Sequence, residues 1–421
     1  MGLHQFIHRR NRVIAPFASG AYPLTTTTSR STDLWLPDHE GVLHQFSANE
    51  EGIVNGRLSG GNWLATDAAG DLLSPAPSVW CQPAATNLVT YSHEFDNGIW
   101  LPIRASITAN NTAAPDGAST ADKLVEDGTA SNTHAVALQN WVVSAATNYV
   151  FSFYVKAGER TWVAGDLWNT AAPTDDAWEV NLSTGAVNSS GANIDVATKS
   201  IGNGWWRIRL SFTTGAGTAL NVGVYLHNGT SSIYSGDGSS GLYIWGAQLE
   251  QSTYATSYIP TSGATVTANA TEPLVAWPSG LVNDFVAKFD WTNDTAITGA
   301  KLLDFGAASA NQSVVYITGA EVRFRKRLSS TNYDADFTLT PVDNTTYEVR
   351  VHASSVGGMA VYVDGVKGGT AHANVSDLVV GSSLALGHNL LTSEEILGSI
   401  GSVKIYKVSP KITDAQVIGL S

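Results

Sequence analysis

The chain has 421 residues, too many for one ordinary domain and suited to two or three. Only 14% of its residues are charged and the net charge is −13, which argues against nucleic acid as a partner, because phosphate binding needs clustered Lys and Arg. A 43% apolar content with 13 Trp, 14 Tyr and 12 Phe excludes disorder, and 40 Gly among many Ser, Thr and Asn point to short strands joined by turns: an all-β protein. The single cysteine, Cys81, leaves no intramolecular disulfide framework and no zinc site of the cysteine type. No run approaches the 18 or so apolar residues of a membrane helix, so no membrane insertion is expected.

Residues 1–30 carry Arg9, Arg10, Arg12 and Arg30 and no acid. Against an acidic remainder this reads as a basic arm that attaches to another protein, or else as a partly disordered terminus. No apolar segment follows the arginines, so a signal peptide is not expected. Residues 31–83 have turn signals at close intervals, such as Pro37-Asp38, Gly60-Gly61 and Pro75-Ala76-Pro77, and read as a small β-rich connector.

Residues 84–272 form the first expected sandwich. Val150–Lys156 alternates Phe151, Phe153 and Val155 with Ser152 and Lys156, and Trp206, Ile208, Leu210 and Phe212 alternate with Arg207, Arg209 and Ser211. Two further strands, Leu220–Leu226 and Leu242–Leu249, flank the glycine-rich loop 235–241. Residues 273–421 form the second. Strands are expected over Asn283–Trp291, 301–306, 313–318, 321–327, 335–340 and 346–353, then a hairpin about Asp364-Gly365, the dipeptide that suits a two-residue turn. A closing strand, a turn and a short helix complete the chain. Short strands at regular spacing indicate sandwiches or barrels.

Thr86–Ala270 opens TNLVTYSHEFDNGIW, runs through APDGASTADKL, FSFYVKAGERTW, LSTGAV and GNGWWRIRLSF, and closes GAQLEQSTYATSYIPTSGATVTANA. This ordered set resembles a domain of tail-fibre and head-decoration proteins of tailed bacteriophages, a lectin-like, jelly-roll β-sandwich. The VYVDG hairpin and the closing G-x-I-x-x-V-x-I-Y strand make 273–421 similar to laminin-G and concanavalin-like jelly rolls. The resemblance implies two tandem jelly rolls displayed on the virion surface, made in the host cytoplasm and released by lysis. It also implies partners among other virion proteins through Arg9, Arg10 and Arg12, host cell-surface glycans as ligands, and trimers if the protein is a tail fibre. No heptad coiled coil in the sequence fixes an oligomer.

The sites follow from residue chemistry. Gly236-Asp237-Gly238-Ser239-Ser240-Gly241 fits a dinucleotide motif in letters, yet a strand rather than a helix follows it, so it reads as a loop. No G-x-S-x-G or H-E-x-x-H occurs, and no strand carries the alternating acids of a concanavalin-type glycosidase, so no catalytic residue is assigned. Sugars stack C–H faces on Trp or Tyr and pair hydroxyls with amides and acids. AGDLWNTAAPTDDAW and its surroundings supply Trp162, Trp168, Asn169, Asp175, Asp176, Trp178, Tyr225 and Asn228 as candidates, each Trp weighed against a place in the core. Arg323, Arg325 and Arg327 share a strand face and would grip an anionic glycan or neighbour, unless paired with Asp334 and Asp336 on a solvated face. No cofactor is required. Calcium fits lectin-like sandwiches, and the resemblance to carbohydrate-module jelly rolls suggests Asp96, Gln248 and Glu250 as its ligands. The expected function is a non-enzymatic virion protein that attaches to host glycans; a polysaccharide depolymerase and a purely structural capsid decoration are the alternatives.

Overall fold

The computed structural model describes residues 26–29, 32–38, 42–48, 53–54, 57–59, 62–64, 78–169, 176–277, 281–295, 299–306, 311–329, 331–356, 358–369, 378–380, 383–387, 396–408 and 413–420. Arg9, Arg10, Arg12 and Asp175 lie outside them. Almost every described element is a strand, and the one described helix, Asp414–Ile418, is too short to cross a membrane. The chain forms two compact units: Ala85–Ala268 with residues 40–44, and Asn269–Ser421 with residues 1–39 and 45–84. Each is a β-sandwich.

The central unit stacks two six-stranded antiparallel sheets. One runs Ala186–Ser190, Asp176–Asn181, Trp162–Asn169, Ala219–His227, Ala135–Val142, Trp100–Ile103. The other runs Ala105–Thr112, Ala121–Glu126, Gly241–Glu250, Asn148–Ala157, Trp205–Thr213, Ile194–Ser200. Period-two alternation sends Val163, Leu167, Trp178, Val180, Val222 and Val224 inward from the first sheet, and Phe151, Phe153, Ile208, Leu210 and Ile244 from the second. Val150–Lys156 is not half-buried as its alternation suggests, because Val150, Ser152 and Tyr154 are also buried. Gln248 and Tyr258, together with Trp245, cover that outer side. Tyr154 packs edge-on against Trp245 and Tyr258, at 5.4 and 6.0 Å between ring centroids.

The C-terminal unit draws strands from both ends of the chain. Its first sheet runs Thr26–Ser29, Glu272–Ala276, Ser383–Leu386, Lys301–Asp304, Gln312–Ile317, Glu321–Leu328, Thr331–Thr338. The second runs Val366–Lys367, Gly358–Val363, Thr345–Ser354, Phe285–Thr295, Leu397–Lys407, Ser78–Cys81, Ile53–Val54. Thr26–Ser29, from the expected arm, and Ser78–Cys81, from the expected connector, do not stand apart: they are ladder strands of this sandwich, and Cys81 sits in its core beside residues such as Leu386 and Ile400. The Asp364-Gly365 turn forms as expected, both residues taking positive φ (49° and 77°), which a two-residue type I′ hairpin requires.

The chain enters and leaves the central sandwich on paired strands. Ala85–Asn87 pairs with Val266–Ala268. Just outside, in the C-terminal unit, the Gln82 N–H donates to Thr271 Oγ1 at 2.7 Å and the Thr271 N–H to the Gln82 carbonyl at 3.0 Å.

Candidate functional site

In the central unit the two sheets differ in what their outer faces offer. In the second, the central strands Asn148–Ala157 and Gly241–Glu250 are sealed by the covering just described. The first presents Trp162, Ala164, Asp166 and Trp168 from one strand, and Asn221, Gly223, Tyr225 and His227 from its neighbour, in direct register. Ala135 and Ala137 stand opposite Tyr225 and Gly223 on one side and Ile103 and Leu101 on the other. Glu179 stands opposite Ala164. The small residues form a floor, and Trp162, Trp168, Tyr225 and the half-exposed Leu101 (49% exposed) rise around it. Gly223 is required here: a Cβ would lie 2.6 Å from both Asp166 Oδ1 and the Tyr225 ring. Its absence lets the Tyr225 hydroxyl donate to Asp166 Oδ2 across the strand pair.

At one end of this face Trp162 packs on His227, ring centroids 5.6 Å apart. The Gly229 N–H donates to His227 Nδ1 at 3.0 Å, so that nitrogen holds a lone pair and the neutral ring carries its proton on Nε2. Nε2 is buried without a hydrogen-bond partner among the described residues, and Glu179 Oε1 stands 3.7 Å away, beyond hydrogen-bond reach. The other Glu179 oxygen accepts from Asn188 Nδ2 at 2.9 Å.

Burial holds His227 below the usual imidazole value of 6.5, with the Glu179 charge opposing. Burial, then Lys367, does the same to His352 in the C-terminal unit. Between each folded value and 6.5 the unfolded chain binds more protons, so this stability is complete above 6.5 and is lost as pH falls through that window. Urea midpoints measured from pH 8 down to pH 5 are expected to fall below 6.5, and to fall less steeply in His227→Gln. An equal slope in both proteins would reject the assignment.

The other candidates separate cleanly. Trp178 is 0% exposed and belongs to the core, because alternation along Asp176–Asn181 turns it and Val180 inward. Asp176 is buried and accepts from the Asn193 N–H and Nδ2. Asn228 is exposed, but its Oδ1 closes a turn by accepting from the Thr230 and Ser231 N–H groups at 2.9 Å. Asn169 ends its strand opposite Leu220. In the C-terminal unit, Arg325 makes a two-pronged contact to Asp334 (2.7 and 2.6 Å) and Arg323 pairs with Asp336 and Glu321. Arg327 faces Gln312 and Asn332. Lys326, opposite this stripe, is 0% exposed on the inward face. The basic stripe is thus largely neutralised by its neighbours.

The suggested calcium ligands are not brought together as a ready site. Gln248 is spent on the Ser257 carbonyl and the Ile259 N–H, and Glu250 accepts from Thr256 N–H and Oγ1. Asp96 is exposed in the turn before Trp100. Among the described residues no group of three or more His, Cys, Asp or Glu could hold a metal ion.

The glycine-rich loop is a structural element. Its Asp237 accepts from Ser239 and Ser240, and its Asp237 N–H donates to the buried Glu126 at 2.9 Å. Arg160 clasps Glu126 with two nitrogens and lies over the Tyr234 ring at 5.0 Å, while the Tyr234 hydroxyl donates to Glu126. Burial raises the Glu126 pKa, but Arg160, Tyr234 and the Asp237 N–H prevail and keep it below the usual carboxylate value.

Sequence reasoning missed Asp166, Glu179, Asn221 and His227 on the open face. Asp166 had a signal, since it lies between Trp162 and Trp168 at even spacing from both and therefore on their side of the strand. His227 had none, because its role depends on Gly229 and on a strand far away in sequence.

No protein-family model matches the chain, and no curated protein matches it. Solved structures similar in part include domain 4 of a GH43 extracellular arabinanase from Geobacillus stearothermophilus in complex with arabinotriose (18% identity, 39% of this chain and 80% of that one, TM-score 0.30). Others are the LG4-5 domains of the mouse laminin alpha1 chain (13%, 67% and 88%, 0.25) and a tandem CBM22 domain from Paenibacillus barcinonensis (11%, 78% and 100%, 0.27). At these TM-scores none assigns the chain to a family, and the all-β sandwich class rests on the sheets themselves.

Proposed function

We propose that the protein is a non-enzymatic glycan-binding protein displayed on a bacteriophage particle, and that the open face of the central sandwich is its binding surface. The observation that carries the binding role is the grouping of Trp162, Trp168 and Tyr225 with Asp166, Asn221 and Glu179 around a floor of Ala and Gly. Such a face stacks the C–H side of a sugar ring and pairs its hydroxyls. The setting is supported by the ordered phage-type motifs of Thr86–Ala270. In that setting the basic residues Arg9, Arg10 and Arg12 engage another virion protein, as a tail fibre (trimeric) or a capsid-attached spike.

Binding of the full chain to host-surface polysaccharide tests the reading. Trp162→Ala is expected to weaken binding at least tenfold with unchanged thermal unfolding. Unaltered binding by the variant would reject this face.

A depolymerase reading gains one observation. Asp166 and Glu179 are diagonal neighbours on adjacent strands, so two carboxyl groups, the pair a glycosidase needs, share this face. Against it, Asp166 is engaged by Tyr225 and Glu179 by Asn188. Reducing ends released from the polysaccharide, and abolished by Asp166→Asn, would replace a binding protein with an enzyme.

A further inference from the structure

The charged residues of the central sandwich are sorted between its two sheets. The six strands of the open sheet contain no Lys or Arg, only the acids Asp166, Asp176 and Glu179. Lys123, Lys156, Lys199, Arg207 and Arg209 all lie on strands of the other sheet. Arg104 and Arg160, the remaining bases between residues 85 and 268, are tied to Thr133 and to Glu126. A sugar carboxylate or sulfate on the open face would meet two carboxylates and no Lys or Arg on any of its strands.

Beside Trp162 the same face holds an incomplete hydrogen-bond pair. His227 Nε2 is a donor, because the Gly229 N–H occupies Nδ1, and Glu179 Oε1 is an acceptor. Their 3.7 Å separation is too long for a direct bond, and because Nε2 is buried, a hydroxyl must part the side chains over it to accept from the ring N–H and donate to the carboxylate. An anionic group cannot do this, because it has no proton to give Glu179.

We propose that the open face selects an uncharged glycan, one of whose hydroxyls bridges His227 Nε2–H and Glu179 Oε1 next to the Trp162 ring. This rests on the reading of the face as a glycan site and adds the ligand class and the polar anchor. Fixing the ring proton on Nε2 keeps the donor in place, and the depressed basicity of His227 keeps the ring uncharged near neutral pH.

The test is titration of the full-length protein with a panel of neutral oligosaccharides (gluco-, galacto- and manno-configured) and acidic ones (uronate, sialylated, sulfated). Wild type, Trp162→Ala, Glu179→Ala and Glu179→Gln are compared, with thermal unfolding as the check on folding. The expected result is binding confined to neutral sugars. Glu179→Ala should weaken it about tenfold or more, Glu179→Gln less because an acceptor oxygen remains, and removal of one sugar hydroxyl by deoxygenation should reproduce the loss. Preference for acidic sugars overturns the inference. So does neutral-sugar binding that Trp162→Ala abolishes but Glu179→Ala leaves intact, and in that case the glycan reading of the face stands. Neutral-sugar binding that ignores Trp162→Ala, or no binding to either class, removes the reading of the face itself.

Discussion

A chain that starts at Pro273 is expected not to fold, although it contains every strand that the sequence alone assigns to the C-terminal sandwich. Without Ser78–Cys81, the edge of Leu397–Lys407 from Gly398 to Gly401 loses its partner strand. Without Thr26–Ser29 and the residues just before Pro273, the other sheet loses its outermost strand and part of the next. The core loses Cys81, and the covering of the Leu397–Lys407 strand loses Val79. A buried Val side chain contributes about 1.5–3 kcal/mol, and each lost ladder hydrogen bond about 1 kcal/mol. Together these reach roughly 5 kcal/mol or more, comparable with the lower end of a domain's whole stability of about 5–15 kcal/mol. Circular dichroism and thermal unfolding of the 273–421 fragment should show no cooperative transition. The fragment 84–270, which keeps nearly all of its own strands, should melt as a unit. A sharp melt of the shorter C-terminal fragment would refute the strand assignment.

The second large effect is expected from Arg160→Ala. Glu126 is 1% exposed and ionised, and Arg160 supplies the only Lys or Arg charge paired with it in the described structure. Removing one partner of a buried ion pair leaves an uncompensated charge and costs about 3–5 kcal/mol; the lower end applies because the Arg160 side chain remains partly wetted. The Tyr234 hydroxyl and Asp237 N–H remain as donors, so the Gly236–Gly241 loop should loosen before the whole sandwich melts. The measurement is the urea midpoint of the variant, with hydrogen exchange at Asp237 and Ser240 as a local readout. The double variant Arg160→Met with Glu126→Leu should recover much of the loss, since no buried charge is then left. A single variant as stable as wild type would show that the pair holds nothing.

Much of the fold could be read from the sequence because its causes are local. Phe151, Phe153 and Val155, or Ile208, Leu210 and Phe212, alternate with a period of two, and Asp364-Gly365 supplies two residues that tolerate positive φ. The strand Ala186–Ser190 carries no such signal: every residue of it is exposed, and its ladder partner is Asp176–Asn181. The partnership of Thr26–Ser29 with Glu272–Ala276 spans more than 240 residues and leaves no mark in composition. The site divides in the same way. Trp162 and Trp168 reach the open face while Trp178 is core, and only strand register separates them. Arg323 and Arg325 read as a basic grip until the next strand sets Asp336 and Asp334 opposite them.

The paired strands at residues 85–87 and 266–268 have a consequence for how such a protein can change. Two chain ends held in one antiparallel ladder leave a gap of only about 5 Å for any replacement to span. A lineage could therefore exchange the whole passenger between them, or lose it to a tight turn, while the carrier sandwich keeps its Gln82–Thr271 clasp and its ladders. The two sandwiches would then evolve on separate clocks, joined at a two-strand socket.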